Sequence, residues 1–282
     1  MTNIISGKEV ASEIERSVSD RVGKHVSAGK RAPCLSVVLV GDDPASQVYV
    51  GHKEKACARV GIESRVIRLE AATSKEEVVS TIQKLNADEG VDGILVQLPL
   101  PDGLDGAEIV QLIAPEKDVD GLTYVNQGKL AVGVKGLFPC TPLGCIELIK
   151  KTGLDIKGKN AVVVGRSILV GSPAAKMLVH EGATVTTVHS KTSDPKSVCK
   201  NADILVVAAG KKRLVKGDWV KKGAVVIDVG IHRHEGKLTG DVDFSSVSEL
   251  ASAITPVPGG VGPMTIAMLL SNCLTAYEER ES

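Results

Sequence analysis

The fold is decided by residues 160–173, NAVVVGRSILVGSP, where a strand pattern turns into a helix pattern. The apolar run AVVV ends at Gly165, and a second glycine, Gly171, precedes a Ser-Pro pair of the kind that begins helices. A glycine-rich turn between a strand and a helix directs backbone N–H groups and the positive end of the helix dipole at a phosphate. The stretch therefore predicts the first βα unit of a dinucleotide-binding sheet.

This turn departs from the common G-x-G-x-x-G pattern, because Gly165 is followed by Arg166 and Ser167. Taken alone, the turn leaves a purely structural role as an equal alternative. Arg166 favours the binding interpretation, since a guanidinium beside the first glycine suits contact with an anion. We therefore predict that Gly165, Arg166 and Ser167 contact a cofactor.

The second strand of this unit runs into HSKT, residues 189–192, and carries no acid where an NAD site needs one. A carboxylate at that place holds the ribose 2′-hydroxyl, whereas hydroxyl and basic groups suit a 2′-phosphate. Ser190 is thus predicted to contact the cofactor, and the cofactor is predicted to be NADP. A solvated polar loop is the alternative interpretation.

Candidate strands occur along the whole chain, and helix patterns separate them. The strands are predicted at 35–40, 65–69, 92–97, 160–165, 184–188, 203–208 and 224–229. Strands that alternate with helices predict an α/β protein with parallel sheets. At 282 residues the chain exceeds a typical single domain, and we read the polar segment 114–138 as a connection that leads out of a first domain.

Helices are predicted from apolar stripes and capping residues. Apolar residues at every fourth position from Val10 to Val26 predict a long first helix. Thr73 and Glu76 form the pattern of a capping box. An apolar helix at about 264–278 ends the chain, and a helix of this composition has to be covered by other elements.

Composition excludes several classes of function. Lysine plus arginine and aspartate plus glutamate both number 34, so no basic surplus is present to bind nucleic acid. The sequence has no export signal and no long apolar run, and its six cysteines are scattered without a C-x-x-C pair, so we expect a cytoplasmic protein that binds no membrane. His232 and His234 flank Arg233 in a polar turn, and two ligands without a third predict no metal site.

Two side chains in the first half of the chain lie one helical turn apart. Tyr49 and Lys53 belong to SQVYVGHKEKAC, residues 46–57, and a spacing of four puts them on one helix face. The ordinary interpretation of such a pair is a core tyrosine and a lysine that reaches water. Gln97 ends the strand 92–97 directly before LPLP, where prolines prevent a continued strand. Ligands bind at such carboxyl ends in open α/β sheets.

The motifs of this chain, in their order, resemble those of the bifunctional methylenetetrahydrofolate dehydrogenase/methenyltetrahydrofolate cyclohydrolase family. They are VGDDPASQVYVGHK, DGILVQLPLP, PEKDVDGL, PCTP, VVVGRSILVGSP, HSKT, VIDVGI, GDVDF and ITPVPGGVGPMTIAML. The resemblance covers essentially the whole chain and implies an α/β fold of two βαβ domains around a cleft. Residues 1–138 are then a folate-binding domain, completed by the terminal helix 263–282, and residues 139–262 are a Rossmann-like NADP-binding domain with a parallel sheet.

The resemblance also implies the reactions and the residues that perform them. The family oxidises 5,10-methylenetetrahydrofolate with NADP⁺ and hydrolyses the methenyl product to 10-formyltetrahydrofolate. It implies that Lys53 moves protons, Gln97 orients it, Tyr49 stacks on folate and Asp120 accepts from the pterin edge, with Asp118 as the competing acid. Further implied substrate contacts are Val96, Leu98, Pro258, Gly259, Gly260, Gly262 and Pro263. Ile231 is implied to lie near the cofactor, and the chain is implied to form a homodimer.

Two other classes of protein share part of this pattern. A different Rossmann-type NAD(P) dehydrogenase, acting on a small acid or a quinone, would have no use for Asp120 or for the Tyr49 and Lys53 pair. A non-catalytic dinucleotide-binding module would not need Lys53. The residues of the first domain therefore discriminate among the three.

Overall fold

The fold is described from a computed structural model, which covers residues 2–234 and 236–281. The chain divides into two compact units. The large-sheet unit consists of the first twelve residues and Thr141–Thr265, and the small-sheet unit consists of Glu13–Cys140 and Ile266–Ser282. Each unit has its own sheet and its own apolar core.

Strands and helices alternate in both units. In the described residues the strands are β1 Asn3–Ile4, β2 Cys34–Val40, β3 Glu63–Leu69, β4 Gly93–Val96, β5 Asn160–Val164, β6 Thr184–Val188, β7 Ile204–Val207, β8 Val225–Asp228, β9 His232–His234, β10 Lys237–Thr239 and β11 Ala253–Ile254. The α-helices are α1 Gly7–Ser27, α2 Pro44–Val60, α3 Lys75–Ala87, α4 Gly106–Val110, α5 Tyr124–Val132, α6 Cys140–Lys151, α7 Gly171–His180, α8 Pro195–Cys199, α9 Phe244–Ser248 and α10 Val261–Glu281.

The large-sheet unit contains a six-stranded sheet in the order β1-β11-β8-β7-β5-β6, in which every neighbouring pair is parallel. The residues of β7 and β8 are all buried, and all of them except Asp228 are apolar, as expected of parallel strands covered on both faces. From β5 the chain continues to β6 on one side and then to β7 on the other. Open α/β sheets bind ligands at such a switch point, and the turn at Gly165 lies there.

Two short strands at one edge of this sheet were not predicted from the sequence. β1 pairs in parallel with β11, and β11 pairs in parallel with β8. Each of these edge strands has two residues, which is too short for a period to show in the sequence. Because β1 joins the large sheet, the first twelve residues lie in the large-sheet unit and not in the domain predicted for residues 1–138.

Two further elements lie where the sequence predicted irregular connections. His232 and His234, predicted as loop residues, belong to β9, which pairs antiparallel with β10. The segment 114–138 contains helix α5, whose N-cap Thr123 accepts a hydrogen bond from the Asn126 N–H through its side chain. Both elements are short and partly polar, so hydrophobic periodicity did not reveal them.

The predicted helices are present, with shifts at their ends. Helix α1 includes the whole stripe from Val10 to Val26. The capping box predicted at Thr73 and Glu76 is displaced by one residue, because the Ser74 hydroxyl accepts the hydrogen bond, from the Glu77 N–H at 3.2 Å. In the part of the chain that the structure describes, none of the helices combines the length and apolarity needed to cross a bilayer.

The small-sheet unit is built on three parallel strands in the order β3-β2-β4. All residues of β2 are buried. Helix α10 contributes Leu270, Leu274 and Tyr277 to the same apolar core as Leu35 and Val37 of β2. The apolar residues of the terminal helix are thus covered by the sheet of this unit.

Asp92 connects several segments of the small-sheet unit. Its carboxylate is fully buried and accepts hydrogen bonds from Arg31 at 2.6 and 2.7 Å, from Arg280 at 3.0 Å and from the Cys34 N–H at 2.8 Å. Cys34 begins β2, and Arg280 lies near the end of α10. A single buried acid therefore attaches the terminal helix to the sheet.

We expect Asp92→Asn to lower the free energy of unfolding by about 3 kcal/mol, because it breaks a buried ion pair and leaves guanidinium groups against an amide. Urea denaturation would measure this loss. The matched control is Glu108→Gln, which breaks the exposed pair of Lys75 and Glu108 at 2.8 Å and should cost less than about 1 kcal/mol. Equally small losses in the two variants would contradict the role of Asp92.

Candidate functional site

Helix α2 presents Tyr49 and Lys53 on one face. The helix begins after Asp43, whose carboxylate accepts from the Ser46 N–H at 2.7 Å, and it ends at Gly61 with a left-handed φ of 81°. The side chain of Tyr49 is 51% exposed. The ordinary interpretation of this tyrosine as a core residue is therefore wrong, and its ring face is open to a ligand.

Lys53 and Gln97 form the central contact of the candidate site. The Lys53 Nζ donates to Gln97 Oε1 at 2.7 Å. Gln97 is only 8% exposed, and its Nε2 donates to the Leu98 carbonyl oxygen at 2.7 Å, which keeps its amide oxygen directed at the lysine. Burial lowers the pKa of Lys53, and the charge of Asp120 acts in the opposite direction. Lys53 therefore loses its proton more readily than an exposed lysine.

The structure distinguishes the two acids of the KDVDG segment. Asp118 is fully buried and accepts from the Thr123 N–H at 2.8 Å and from Asn126 Nδ2 at 2.9 Å, so its carboxylate organises the loop before α5. Asp120 is half-buried. Burial raises the pKa of Asp120, while the charge of Lys53 lowers it. Asp120, and not Asp118, thus lies in the electrostatic environment of Lys53.

Cys140 belongs to this cluster and was not among the predicted site residues. Its Sγ donates to the Val119 carbonyl oxygen at 3.3 Å, and the nearby charge of Asp120 adds to the effect of burial on its pKa. Burial raises the pKa of Cys140 well above its usual value, so the group remains a neutral thiol. Asn272 donates to the carbonyl oxygens of Val119 and Phe138, both at 2.8 Å. The PCTP motif contained this cysteine, but a lone cysteine in an apolar context is typical of a core.

Two predicted substrate residues serve the core of the small-sheet unit. Val96 is 5% exposed and lies in one apolar cluster with Val38 and Ile94, and Leu98 packs against that cluster. The Leu98–Pro99 peptide bond is cis. Contact of Val96 and Leu98 with a substrate stays a prediction.

A cavity of about 450 Å³, the first cavity, lies at the carboxyl ends of β5, β6 and β7 in the large-sheet unit. Four residues predicted to contact a cofactor line it, namely Gly165, Arg166, Ser167 and Ser190. Its lining also includes His189 and Thr192, which belong to the quoted HSKT segment, and Lys211 and Trp219, which the sequence analysis did not single out. Lys211 follows the end of β7, and that position was the signal available in the sequence.

The residues of the first cavity fit a dinucleotide that carries an additional phosphate. Gly165 has a φ of 124°, and a Cβ atom at this position would overlap the Ala208 carbonyl oxygen, so only glycine allows this turn. Arg166, Lys211 and Ser190 supply basic and hydroxyl groups, and within the described residues no acid lines the cavity. An NAD site would place a carboxylate here.

A second cavity of about 210 Å³ lies in the same unit and is lined by Lys8, Asp228, Ile231 and residues 256–263. The predicted substrate residues Pro258, Gly259, Gly260, Gly262 and Pro263 all lie in its wall. Ile231, predicted to lie near the cofactor, is 51% exposed and belongs to this cavity. The structure therefore brings Ile231 together with the glycine-rich loop and not with Gly165.

Comparison with known proteins gives matches over both units. The model of the tetrahydrofolate dehydrogenase/cyclohydrolase catalytic domain matches residues 5–120, and the model of the NAD(P)-binding domain of the same family matches residues 139–281. The bifunctional protein FolD of Agathobacter rectalis is 52% identical over 99% of this chain and 100% of its own length.

Solved structures agree with these matches. The bifunctional FolD methylenetetrahydrofolate dehydrogenase/cyclohydrolase of Campylobacter jejuni superposes with a TM-score of 0.97 at 46% identity, over 99% of this chain and 100% of that chain. The corresponding Trypanosoma brucei enzyme, solved in complex with NADP cofactor and an inhibitor, gives a TM-score of 0.93 at 39% identity, over 99% and 98% of the two chains. The predicted α/β fold class is confirmed.

We expect Asp120→Asn to lower the pKa of Lys53 further, because the carboxylate charge opposes the effect of burial. NMR titration of ¹³C-labelled lysine side chains would measure the change, with the exposed Asp20→Asn as the control. The folded pKa of Lys53 lies below its unfolded value, so its contribution to stability increases as pH rises between these two values. An unchanged or raised pKa in Asp120→Asn would contradict the proposed influence of the carboxylate.

Proposed function

This chain belongs to the tetrahydrofolate dehydrogenase/cyclohydrolase family, and we propose that it oxidises 5,10-methylenetetrahydrofolate with NADP⁺ and then hydrolyses the 5,10-methenyl product to 10-formyltetrahydrofolate. The observation that carries the proposal is the 2.7 Å hydrogen bond between Lys53 Nζ and Gln97 Oε1, in the electrostatic environment of Asp120. A dehydrogenase for a small acid, or a binding module without catalysis, has no use for this cluster.

Asp120 and Tyr49 supply the contacts that a pterin ring needs. The pyrimidone edge of a pterin presents an amino group and a ring N–H side by side, and one carboxylate can accept from both. Burial raises the pKa of Asp120, so a pair of donors on its oxygens compensates for lost hydration. The exposed ring of Tyr49 offers a stacking face to the flat substrate, worth about 0.5 to 1.5 kcal/mol.

Hydrolysis of the methenyl group requires proton transfers, and Lys53 is the residue that we propose performs them. Its neutral Nζ accepts a proton as water adds to the electrophilic one-carbon bridge, and the same atom returns a proton to the departing ring nitrogen. An amine has an N–H in both protonation states, so Gln97 Oε1 accepts a hydrogen bond from Lys53 throughout. Gln97 therefore orients the amine without fixing its charge.

Oxidation of the methylene group builds positive charge on the folate, so a neutral Lys53 favours this step as well. The burial that lowers the pKa of Lys53 thus suits both reactions. Gly165, Arg166, Ser167 and Ser190 of the first cavity would hold NADP⁺. When bound, NADP⁺ supplies the hydride acceptor.

We further propose that the enzyme acts in the cytoplasm as a homodimer. All six cysteines are free and buried, which suits a reducing compartment. Helix α5 exposes Tyr124 at 68% and Val132 at 73%, and apolar side chains of this kind are often covered by association.

Lys53→Met is expected to remove most cyclohydrolase activity. The substitution retains much of the volume of the stem and removes the amine, and proton transfer by a positioned group accelerates reactions by about 10² to 10⁴-fold. Cyclohydrolase turnover should fall by that order, whereas the dehydrogenase step should decrease less because its central step takes no proton from the lysine. Absorbance of the methenyl product at fixed pH reports both rates.

The matched control for Lys53→Met is Lys55→Met, which makes the same change at an exposed position of the same helix. Circular dichroism would confirm that both variants are folded. Near wild-type cyclohydrolase turnover in folded Lys53→Met would show that Lys53 is an ordinary lysine that reaches water, and it would contradict the proposed mechanism.

The enzyme is expected to prefer NADP⁺ over NAD⁺ by roughly tenfold or more in kcat/KM, since each charge-assisted contact with the additional phosphate contributes about 1.5 to 3 kcal/mol. Ser190→Asp should weaken the binding of NADP⁺ by charge repulsion, and it should strengthen the binding of NAD⁺ by giving the ribose hydroxyl a hydrogen-bond acceptor. Ser193→Asp adds the same charge three residues further on, outside the lining of the first cavity, and should leave the preference unchanged. Equal kcat/KM for the two cofactors in the wild-type enzyme would disprove the assignment.

A further inference from the structure

Two motifs of the chain, VIDVGI at 226–231 and GDVDF at 240–244, have no role in the mechanism described so far. Each contains a buried acid of the large-sheet unit. Asp228 is 3% exposed, and Asp241 is fully buried. Burial of a carboxylate is costly unless hydrogen bonds replace its hydration. The hydrogen-bond partners of these two acids therefore show which segments of the chain they hold in place.

The carboxylate of Asp241 holds two separate segments. Its Oδ2 accepts from the Ala209 N–H at 2.6 Å and from the Gly210 N–H at 2.8 Å. Its Oδ1 shares a hydrogen bond of 2.7 Å with His232 Nε2. Ala209 lines the first cavity, in which the cofactor is proposed to bind. Asp241 itself is not part of that lining, so it supports the cavity wall through its hydrogen bonds and not by contact with the cavity.

Asp228 fixes the backbone from which Asp241 projects. It accepts from the N–H groups of Asp241 at 2.9 Å, Val242 at 3.0 Å and Gly230 at 3.0 Å. A Cβ atom on Gly240 would overlap the Asp228 carboxylate, so a glycine is required for this approach. The two motifs thus form one assembly. Asp228 holds the backbone of Asp241 and Val242, and Asp241 holds the wall of the first cavity at Ala209.

The same assembly lies next to the second cavity. Asp228 and Ile231 line that cavity, and Ile231 directly precedes His232, the partner of Asp241. One carboxylate therefore connects the Ala209 and Gly210 turn of the first cavity with strand β9. Its side-chain hydrogen bonds go to Ala209, Gly210 and His232 and not to the loop 256–263 with the predicted substrate contacts, so its loss would release the turn and β9 and leave that loop in place.

We propose that Asp241 is a positioning residue for the dehydrogenase reaction, which holds the cofactor-binding wall in place without contact with either ligand. The proposal rests on the proposed function, because oxidation needs NADP⁺ whereas hydrolysis needs only water. A merely structural residue would affect both activities alike. A positioning residue of the cofactor wall affects NADP⁺ binding and the dehydrogenase reaction and leaves the cyclohydrolase reaction on the same chain as an internal control.

The test compares Asp241→Ala, Asp241→Asn and a control within the same motif. Asp241→Ala should weaken NADP⁺ binding, measured by calorimetry, and should lower dehydrogenase kcat/KM by about ten- to hundredfold, since displaced walls misalign the reactants. Cyclohydrolase turnover with the methenyl substrate should remain near that of the wild type. Asp241→Asn should restore part of the loss, because its amide oxygen can still accept from the N–H groups of Ala209 and Gly210.

The control is Asp243→Ala. Asp243 is the other acid of GDVDF, and its carboxylate accepts from the Ser246 hydroxyl at 2.7 Å, a contact away from both cavities. We expect no change in NADP⁺ affinity or in either activity. If Asp241→Ala does not fold, His232→Ala removes only the Oδ1 contact from a side chain that is 25% exposed and should still weaken NADP⁺ binding.

The proposal is overturned if the folded variants of Asp241 and His232 bind NADP⁺ as the wild type does. It is also overturned if both activities fall equally in Asp241→Ala and Asp241→Asn gives no recovery. Failure of the proposed function has a different signature, namely the absence of both activities in the wild-type protein. Calorimetry with NADP⁺ then still decides whether Asp241 positions the cavity wall.

Discussion

The proposed chemistry depends on one constraint, which is that a lysine amine must be kept away from water and still be held in place. Burial lowers the pKa of Lys53, and an amine without partners in such a place would be costly. Gln97 Oε1 is a neutral group that accepts a hydrogen bond from Lys53 Nζ at 2.7 Å. Gln97 is itself held in place because its Nε2 donates to the Leu98 carbonyl oxygen. The end of β4 before LPLP and the face of α2 bring Gln97 and Lys53 together.

The sequence predicted those parts of the fold in which local pattern and tertiary environment agree. The buried runs of β2, β7 and β8 are apolar except for Ser36 and Asp228, and parallel strands covered on both faces have that composition. Strands β1 and β11, at one side of the large sheet, pair two residues each across more than 200 positions of sequence, and no local period encodes such a contact. His232 of β9 contacts Asp241, and this contact is likewise invisible to periodicity.

The same distinction applies to the site. The spacing of Tyr49 and Lys53 predicted a shared helix face but left open whether that face was buried, and exposure of Tyr49 at 51% decides this question. Asp118 and Asp120 are two residues apart and chemically identical in sequence. Only the hydrogen bonds of Asp118 to Thr123 and Asn126 identify it as the structural acid. Cys140 joins Asp120 from a distant position, so composition and spacing could not reveal it.

In the proposed mechanism, the opposing effects of burial and of the Asp120 charge make the protonation of Lys53 responsive to the substrate. Before folate binds, the charge of Asp120 raises the pKa of the amine and partly offsets the effect of burial. A pterin whose N–H groups donate to Asp120 spreads that negative charge, and its ring excludes water from the amine, so both effects favour the neutral form. The positive charge that oxidation creates on the one-carbon bridge favours it again. In the mechanism that we propose, binding and the first reaction thus prepare the same atom, Lys53 Nζ, to act as the base in the second.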